Sequence, residues 1–187
     1  LWVSDGTAAG TERFLDINPG GDSNPAGLTV LQDGRMIFAA DDGETGREIW
    51  VTDGTRAGTR LLVDVVPGGE GSDPSDFIEL GGRIFFLGKA PGGEPFQREL
   101  WVTDGTAEGT EQLTDLSDSS FFFSSRLVPV DDRVYFIGTD DANGPEIYSH
   151  DGSPGGLERE TNFPNANGSG PAFLIGVVGA VDDIKTN

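Results

Sequence analysis

One twelve-residue motif recurs along this chain and constrains the fold more than any other feature. It reads EIWVTDGTRAGT at 48–59 and ELWVTDGTAEGT at 99–110, and the chain opens with LWVSDGTAAGT. A weaker fourth copy, EIYSHDGSPGG, occupies 146–156. The aromatic positions of the four copies are spaced by 48, 51 and 47 residues, at Trp2, Trp50, Trp101 and Tyr148. The chain is therefore a repeat protein, and the repeat sets what its fold can be.

Each period reads as four short strands joined by tight turns. In the repeat at 74–116 the strands are PSDFIEL, RIFFLG, ELWVT and TEQLTDL. Gly81-Gly82 and Asp104-Gly105 fall between strands, and glycine tolerates the positive φ of two-residue hairpin turns. The neighbouring repeats follow the same template, and no stretch shows the sustained periodicity of a helix.

The second strands are apolar on both faces, as MIFAA, IFFLG and VYFIG show. A strand of this kind needs cover above and below, which stacked sheets supply. A period near 48 residues with four strands is typical of propeller blades. We therefore expect an all-β fold that is a β-propeller, or part of one.

The chain is expected to form a single repeat domain over 1–187. Its repeats are predicted at 1–17 (a partial blade), 24–66, 74–116, 126–161 and 172–187 (a second partial blade). Two arrangements stay open, a four-bladed ring closed by the terminal strands or a window onto a longer array. We favour the longer array, because a blade that lacks an interior strand leaves backbone groups unpaired.

Charge and composition exclude several classes of partner and site. The chain has 32 acidic and 12 basic side chains, a net charge of −20. This charge repels phosphate backbones and anionic lipids, so no nucleic-acid partner is expected. There is no cysteine, which excludes disulfides and thiolate zinc sites. No apolar run approaches the ~20 residues of a membrane-spanning helix.

The motif itself predicts local structural roles. The tryptophan brings a large apolar area to a contact between sheets. The aspartate, at Asp5, Asp53, Asp104 and Asp151, begins the turn, and its carboxylate is expected to accept a backbone N–H, as in an Asx-turn.

The motif E-L/I-W-V-T-D-G-T-x-x-G-T resembles the ELWxxDGTxxGT repeats of bacterial secreted and surface proteins. Three of the four copies carry it, and the fourth departs at Tyr148, His150, Ser153 and Gly156-Leu157. The resemblance implies export to the extracellular space, the cell surface or the periplasm. It also implies a propeller-like module that is not an enzyme. It supplies no catalytic, cofactor-binding or metal-binding residues.

Two features of the sequence are candidate chemical sites, and each has a competing structural role. His150 is the only histidine, and we interpret it as a turn position that has drifted from threonine, rather than as an acid–base catalyst. Two acidic loops, 41–48 and 139–146, hold oxygen ligands of the kind Ca²⁺ prefers. These ligands are Asp41, Asp42, Glu44, Asp140, Asp141 and Asn143. Their spacing is not that of a D-x-[DN]-x-[DN]-G loop, and the chain has no G-G-x-G-x-D run, so solvated turns are the competing interpretation.

We expect a secreted or cell-surface structural and interaction module that binds protein or glycan through its blade loops. The loops at 19–25 and 67–74 are exposed candidates for recognition. Phe121, Phe122 and Phe123 either fill a core under their loop or form a partner-binding patch. Two alternatives stay open, a hydrolase with an acidic active site in the propeller channel and an accessory subunit of a larger envelope complex.

Overall fold

The computed structural model describes residues 1–94, 96–115, 122–123, 126–140 and 144–162. This part of the chain is all-β, as predicted, and it forms four antiparallel sheets without a helix. Accordingly, no helix in the described ranges is long and apolar enough to cross a membrane. The strands are β1 (Trp2–Val3), β2 (Glu12–Arg13), β3 (Ala26–Val30), β4 (Met36–Asp41), β5 (Arg47–Thr52), β6 (Arg60–Val63), β7 (Ser75–Leu80), β8 (Arg83–Gly88), β9 (Glu99–Thr103), β10 (Glu111–Gln112), β11 (Phe122–Phe123), β12 (Val128–Val130), β13 (Arg133–Asp140), β14 (Gly144–His150) and β15 (Leu157–Arg159).

The sheets follow one plan, with neighbouring strands in chain order. The second sheet joins β3 to β6 and the third joins β7 to β10. The fourth joins β12 to β15, with β11 pairing along the same side of β13 as β12. The first sheet consists of β1 and β2 alone. The turn between the first two strands uses glycine at positive φ, as expected, with φ of 88° at Gly34 and 83° at Gly82.

The sheets stack in chain order through three apolar clusters. The first sheet meets the second around Ile17, Phe38 and Trp50. The second meets the third in a larger cluster that contains Ile37, Val51, Ile84, Phe86 and Trp101. The third meets the fourth around Phe85, Leu100, Val134, Phe136 and Tyr148. Each interior sheet is therefore covered on both faces.

Strand β8 shows why the second strands are apolar throughout. Side chains alternate between the two faces of a sheet. Ile84 and Phe86 pack on the second sheet, and Phe85 and Leu87 pack on the fourth. All four are at most 4% exposed, so the strand has no polar face.

The aromatic residue of each motif copy pairs with a phenylalanine on the second strand of its own sheet. Phe38 lies opposite Trp50, Phe86 opposite Trp101 and Phe136 opposite Tyr148. Their ring centroids are 6.5, 6.2 and 6.0 Å apart. Each pair packs against the preceding sheet, where the motif aromatic is only 7–8% exposed. Trp2, in the first sheet, is 71% exposed.

The run of phenylalanines is described in part. The Phe123 ring lies 4.7 Å from the Phe136 ring and packs on the cluster between the third and fourth sheets. For this residue the structure agrees with the core-filling interpretation. Phe121 and the side chain of Phe122 lie outside the described residues.

We expect Trp101→Ala to lower the free energy of unfolding much more than Trp2→Ala does. The first substitution leaves a cavity between two sheets and should lower the free energy of unfolding by about 3–5 kcal/mol. The second removes an exposed ring and should change it by about 0.5 kcal/mol or less. Urea denaturation followed by circular dichroism measures both. Similar losses for the two variants would contradict the stacking described above.

Candidate functional site

The turn that begins with the motif aspartate is closed by the same two hydrogen bonds to that aspartate in each copy. Asp53 Oδ1 accepts from the Thr55 backbone N–H at 2.8 Å and from the Thr55 hydroxyl at 2.7 Å. Thr55 Oγ1 then accepts the Gly58 N–H at 3.0 Å. The two bonds to the aspartate recur at Asp5, Asp104 and Asp151. The predicted Asx-turn is confirmed.

These bonds favour the charged form of each turn aspartate. The hydroxyl bond from Thr55 and then its backbone N–H lower the pKa of Asp53 below its usual value. The pKa values of Asp5, Asp104 and Asp151 are lowered by the same two contacts, with the hydroxyl of the residue two positions later as the largest cause. The repeated carboxylates are thus ionised acceptors that hold the turn.

A second bond, between two hydroxyls, joins the ends of the turn. Thr52 and Thr59 lie 2.6 Å apart, and Thr103 and Thr110 lie 2.8 Å apart. In the second sheet the Thr52 hydroxyl oxygen also accepts the Gly54 N–H at 3.1 Å. This hydroxyl therefore links the third strand, the turn and the fourth strand.

The fourth sheet replaces this hydroxyl pair with His150 and Leu157. His150 Nδ1 accepts the Gly152 N–H at 2.9 Å, which is the role of the threonine hydroxyl elsewhere. The ring is fully buried, and burial lowers the pKa of His150. The Leu113 backbone carbonyl lies near the ring, but within the described ranges Nε2 has no partner at hydrogen-bonding geometry. The structure thus places His150 at the end of β14, where it bonds the turn in the position of the threonine.

A buried glutamate precedes the aromatic residue in three of the copies. Glu48 and Glu146 are fully buried and Glu99 is 2% exposed. Each accepts a hydroxyl from a residue that follows the fourth strand: Ser72 at 2.5 Å, Thr161 at 2.5 Å and Thr114 at 2.6 Å respectively. These carboxylates tie the third strand to the link that leaves the sheet.

Glu48 shows the full set of contacts. Its Oε1 accepts the backbone N–H of Val66 at 3.0 Å and of Ser72 at 2.8 Å. Burial raises the pKa of Glu48, although the bonds from Ser72 and Val66 act in the opposite direction. Because its oxygens satisfy buried backbone donors, this carboxylate serves the fold.

Arginines at the start of the second strand hold the turn of the following sheet. Arg35 donates to the Gly105 carbonyl at 2.5 Å and to the Asp104 carbonyl at 3.2 Å. Arg83 donates to the Gly152 and Asp151 carbonyls at 2.9 and 3.3 Å. These contacts connect the second sheet to the third, and the third to the fourth.

Sequence reasoning missed these arginine contacts, although a signal was present. Arginine recurs directly after the first turn, as Arg35, Arg83 and Arg133. Arg133 bonds its own sheet, where it donates to Ser149 Oγ at 2.7 Å and to the Gly156 carbonyl at 2.9 Å.

The loops at 19–25 and 67–74, predicted as recognition candidates, are also held by arginines. These arginines lie at or directly before the start of the third strands, at the end of the sheets opposite to Arg35 and Arg83. Arg47 donates to the Asn24 carbonyl, and Arg98 donates to the Asp73 carbonyl. The Asp73 carboxylate lies between both arginines, 3.5 Å from Arg47 Nε and 2.8 Å from Arg98 Nη2. Asn24 and Asp73 both adopt positive φ, 42° and 50°. These loops therefore contribute to the junction between repeats.

The acidic loop at 41–48 is also closed by local bonds. Asp41 Oδ1 accepts the Gly43 N–H at 2.7 Å, and Asp42 Oδ1 accepts the Thr45 N–H at 2.8 Å. Across the described part of the chain, no three acidic or histidine side chains group closely enough to hold a metal ion. In the other acidic loop, Asp141, Asn143 and the side chain of Asp140 lie outside the described residues. Calcium binding stays a prediction.

In the part of the chain that the structure describes, the clefts with space for a ligand include the following two. One, of about 510 Å³, opens between the third and fourth sheets and is lined by Arg83, Phe85, Asp131, Asp132 and Asp151. The other, of about 280 Å³, lies under the link between β8 and β9. Its polar lining consists of Gln97, Glu99, Gln112 and Asp115. Neither was predicted from the sequence.

Comparison with known proteins assigns no family. No family model matches the chain, and no curated protein matches it. Among solved structures, a crystal structure of puromycin hydrolase is similar at a TM-score of 0.35 and 12% identity, covering 81% of this chain and 30% of that one. A mutant of puromycin hydrolase in complex with PGG is similar at 0.38 and 12%, covering 85% and 32%. The chain spans about a third of these structures, and the similarity is too low to carry a functional inference.

Replacing the buried glutamate should destabilise the fold. Glu48→Ala leaves the Val66 and Ser72 N–H groups without their acceptor, which should cost about 1–3 kcal/mol for each such group. The exposed Glu44→Ala, in the neighbouring loop, is the control and should stay within about 0.5 kcal/mol of the parent chain. Chemical denaturation at neutral pH measures both. Equal stability of the two variants would show that the Glu48 contacts do not hold the sheet junction.

The burial of His150 predicts a stability that depends on pH. Its pKa is lower in the folded chain than the ~6.5 of an unperturbed histidine. Its contribution is therefore present above the unfolded pKa and is lost as the pH falls below it.

We expect the free energy of unfolding to fall more steeply between pH 7 and pH 5 in the parent chain than in His150→Thr. That variant restores the residue found in the second and third copies. Denaturation at a series of pH values measures the difference, and the shared carboxylates cancel in the comparison. Identical slopes in the two proteins would contradict this account.

Proposed function

We propose that this chain is part of a β-propeller that acts as a non-catalytic structural and interaction module, secreted or displayed at the cell surface. The observation that carries the proposal is the use of the motif's polar groups. Its carboxylates and hydroxyls bond backbone and side-chain atoms of their own repeat and of the link that follows it. The arginines at the second strand bond the turn of the next sheet. The repeated residues are thus accounted for by the scaffold.

The propeller itself is supported by three features of the sheets. The second and third sheets are antiparallel meanders of four strands in chain order, and the fourth contains the same meander with β11 added beside β13. Consecutive sheets stack face to face through apolar clusters. The same arginine-to-turn contact links one sheet to the next. Repetition of one sheet-to-sheet relation is how blades are arranged around a propeller.

Partner binding is proposed for the loops in which the repeats differ. Turns that are identical in each sheet serve the fold, whereas variable loops on a rigid scaffold carry recognition in many proteins. The link between β8 and β9 is longer than the corresponding link of the second sheet, and its Phe96 is 93% exposed. Export to the surface is proposed from the resemblance of the motif to repeats of secreted and surface proteins. A subunit of a larger envelope complex is a form of the same proposal.

A second candidate, a hydrolase, is favoured by one observation. The larger cleft is lined by Arg83, Asp131, Asp132 and Asp151. Carboxylates are the groups that acid–base hydrolysis uses. One oxygen of Asp151 already accepts two bonds from Ser153, at 2.8 and 2.6 Å. This use in the turn argues for the scaffold role over the catalytic one.

Two measurements separate these functions. Protease treatment of intact source cells should degrade the protein while a cytoplasmic marker survives, because the module is proposed to lie outside the cell. The purified chain should not turn over chromogenic esters, peptides or glycosides above a heat-denatured sample. Retention inside intact cells would overturn the surface proposal. Turnover that Asp131→Asn or Asp132→Asn abolishes would establish the hydrolase instead.

A further inference from the structure

The third sheet departs from the second in the link between its second and third strands. This link spans 89–98, whereas the corresponding link of the second sheet spans only 42–46. Two turns shape it, with the Gly93 N–H donating to the Ala90 carbonyl at 3.1 Å and the Gln97 N–H donating to the Glu94 carbonyl at 3.0 Å. The second sheet stacks on both of its neighbours without such a long loop. The extra length of the link at 89–98 is therefore not required for the stacking of the third sheet.

The smaller cleft lies under this loop and has fixed polar walls. Its volume is about 280 Å³, and the loop backbone from Ala90 to Gly93 forms one side. Glu99 forms part of the cleft wall and is only 2% exposed. Its carboxylate accepts a hydrogen bond from the Thr114 hydroxyl at 2.6 Å. The Gln112 side chain also bonds Thr114, because its Nε2 donates to the Thr114 backbone carbonyl at 2.6 Å. These bonds hold both side chains in place at the wall of the cleft.

The same loop carries an exposed aromatic ring, which lies outside the lining of the cleft. Phe96 directly precedes Gln97 in the chain and is 93% exposed, the largest exposure among the large apolar side chains of the described residues. A ring in this position gains little from the fold and is open to contact by a partner. The loop therefore combines an apolar face with hydrogen-bonding amides and carboxylates.

We propose that this loop binds a neutral glycan, with one sugar ring in the cleft and a neighbouring ring on Phe96. The inference rests on the proposed function as an interaction module and names the ligand class for it. Sugar hydroxyls both donate and accept hydrogen bonds, which matches amides that do both and carboxylates that accept. The C–H face of a pyranose ring is apolar and packs on an aromatic face. The cleft is slightly smaller than the ~300–1,000 Å³ of sites for drug-sized ligands, which suits a single ring.

The same residues disfavour other ligands. The carboxyl groups of Glu99 and Asp115 repel phosphate, sulfate and uronic acid groups, a repulsion that the net charge of −20 increases. A metal ion is not supported, because the described ranges hold no group of three acidic or histidine side chains close together. Neutral sugars are the ligands that suit both the hydrogen-bonding amides of the cleft and the apolar ring of Phe96.

The test is a titration of the whole chain with neutral and acidic saccharides. Galactose, glucose, mannose and their short neutral oligomers, and glucuronic acid as the acidic probe, are titrated by calorimetry and NMR. We expect saturable binding of at least one neutral sugar and none of the acid. Phe96→Ala and Gln97→Ala should each weaken it by about tenfold. Leu28→Ala removes another exposed apolar side chain, 55% exposed and in the second sheet, and should leave the affinity unchanged.

The outcomes distinguish this inference from the proposal beneath it. Neutral sugars that bind equally well to Phe96→Ala and Gln97→Ala would overturn the site but leave the interaction module in place. Binding of glucuronic acid alone, or of no sugar, would overturn the ligand class, while protease accessibility on intact cells still reports on the module. Unfolding midpoints are measured for every variant. Since Phe96 lies in solvent, its loss should leave the fold intact.

Discussion

The structure depends on one contact that is repeated from sheet to sheet. A phenylalanine of the second strand lies opposite the motif aromatic of the third strand, and the pair packs on the preceding sheet. The burial of aromatic rings of this size dominates the energetics of a core. Strands such as β8, which are apolar on both faces, cannot be covered within their own sheet. Each interior sheet is therefore stable only between its neighbours, and the stacking order follows from the chain.

Polar groups define the geometry within which this apolar burial occurs. Aspartate and threonine close the turn after the third strand, and the buried glutamate closes the junction after the fourth. Arginine then fixes the position of one sheet relative to the next. A single hydrogen bond contributes only about 0.5–1.5 kcal/mol net. A buried polar group that loses its partner costs more free energy than the bond itself contributes. Together these bonds therefore favour the one register and sheet spacing in which every buried polar group has a partner.

The positions at which the repeats differ are more informative about function than the positions that they share. His150 and Leu157 together replace a pair of threonines, and the imidazole takes over the hydroxyl's bond to the Gly152 N–H. This exchange keeps the turn but introduces a titrating group into a buried interface. The link at 89–98 changes more, with its exposed Phe96 and the cleft beneath it. Both departures lie where the scaffold tolerates change, and the second faces solvent, where a partner has access.

The sequence alone determined the strands, their turns and the four-stranded unit, because these depend on local alternation, glycine positions and the period of the motif. It also indicated the aspartate's role in its turn, which involves neighbouring residues only. Only the tertiary structure decided that the motif glutamates are buried and that Arg35 bonds a turn 70 residues away. It alone also brought Gln97, Glu99 and Gln112 around one cleft. These features depend on how sheets and loops are placed relative to one another, and charged residues at a strand end look the same in sequence whether they face solvent or a neighbouring sheet.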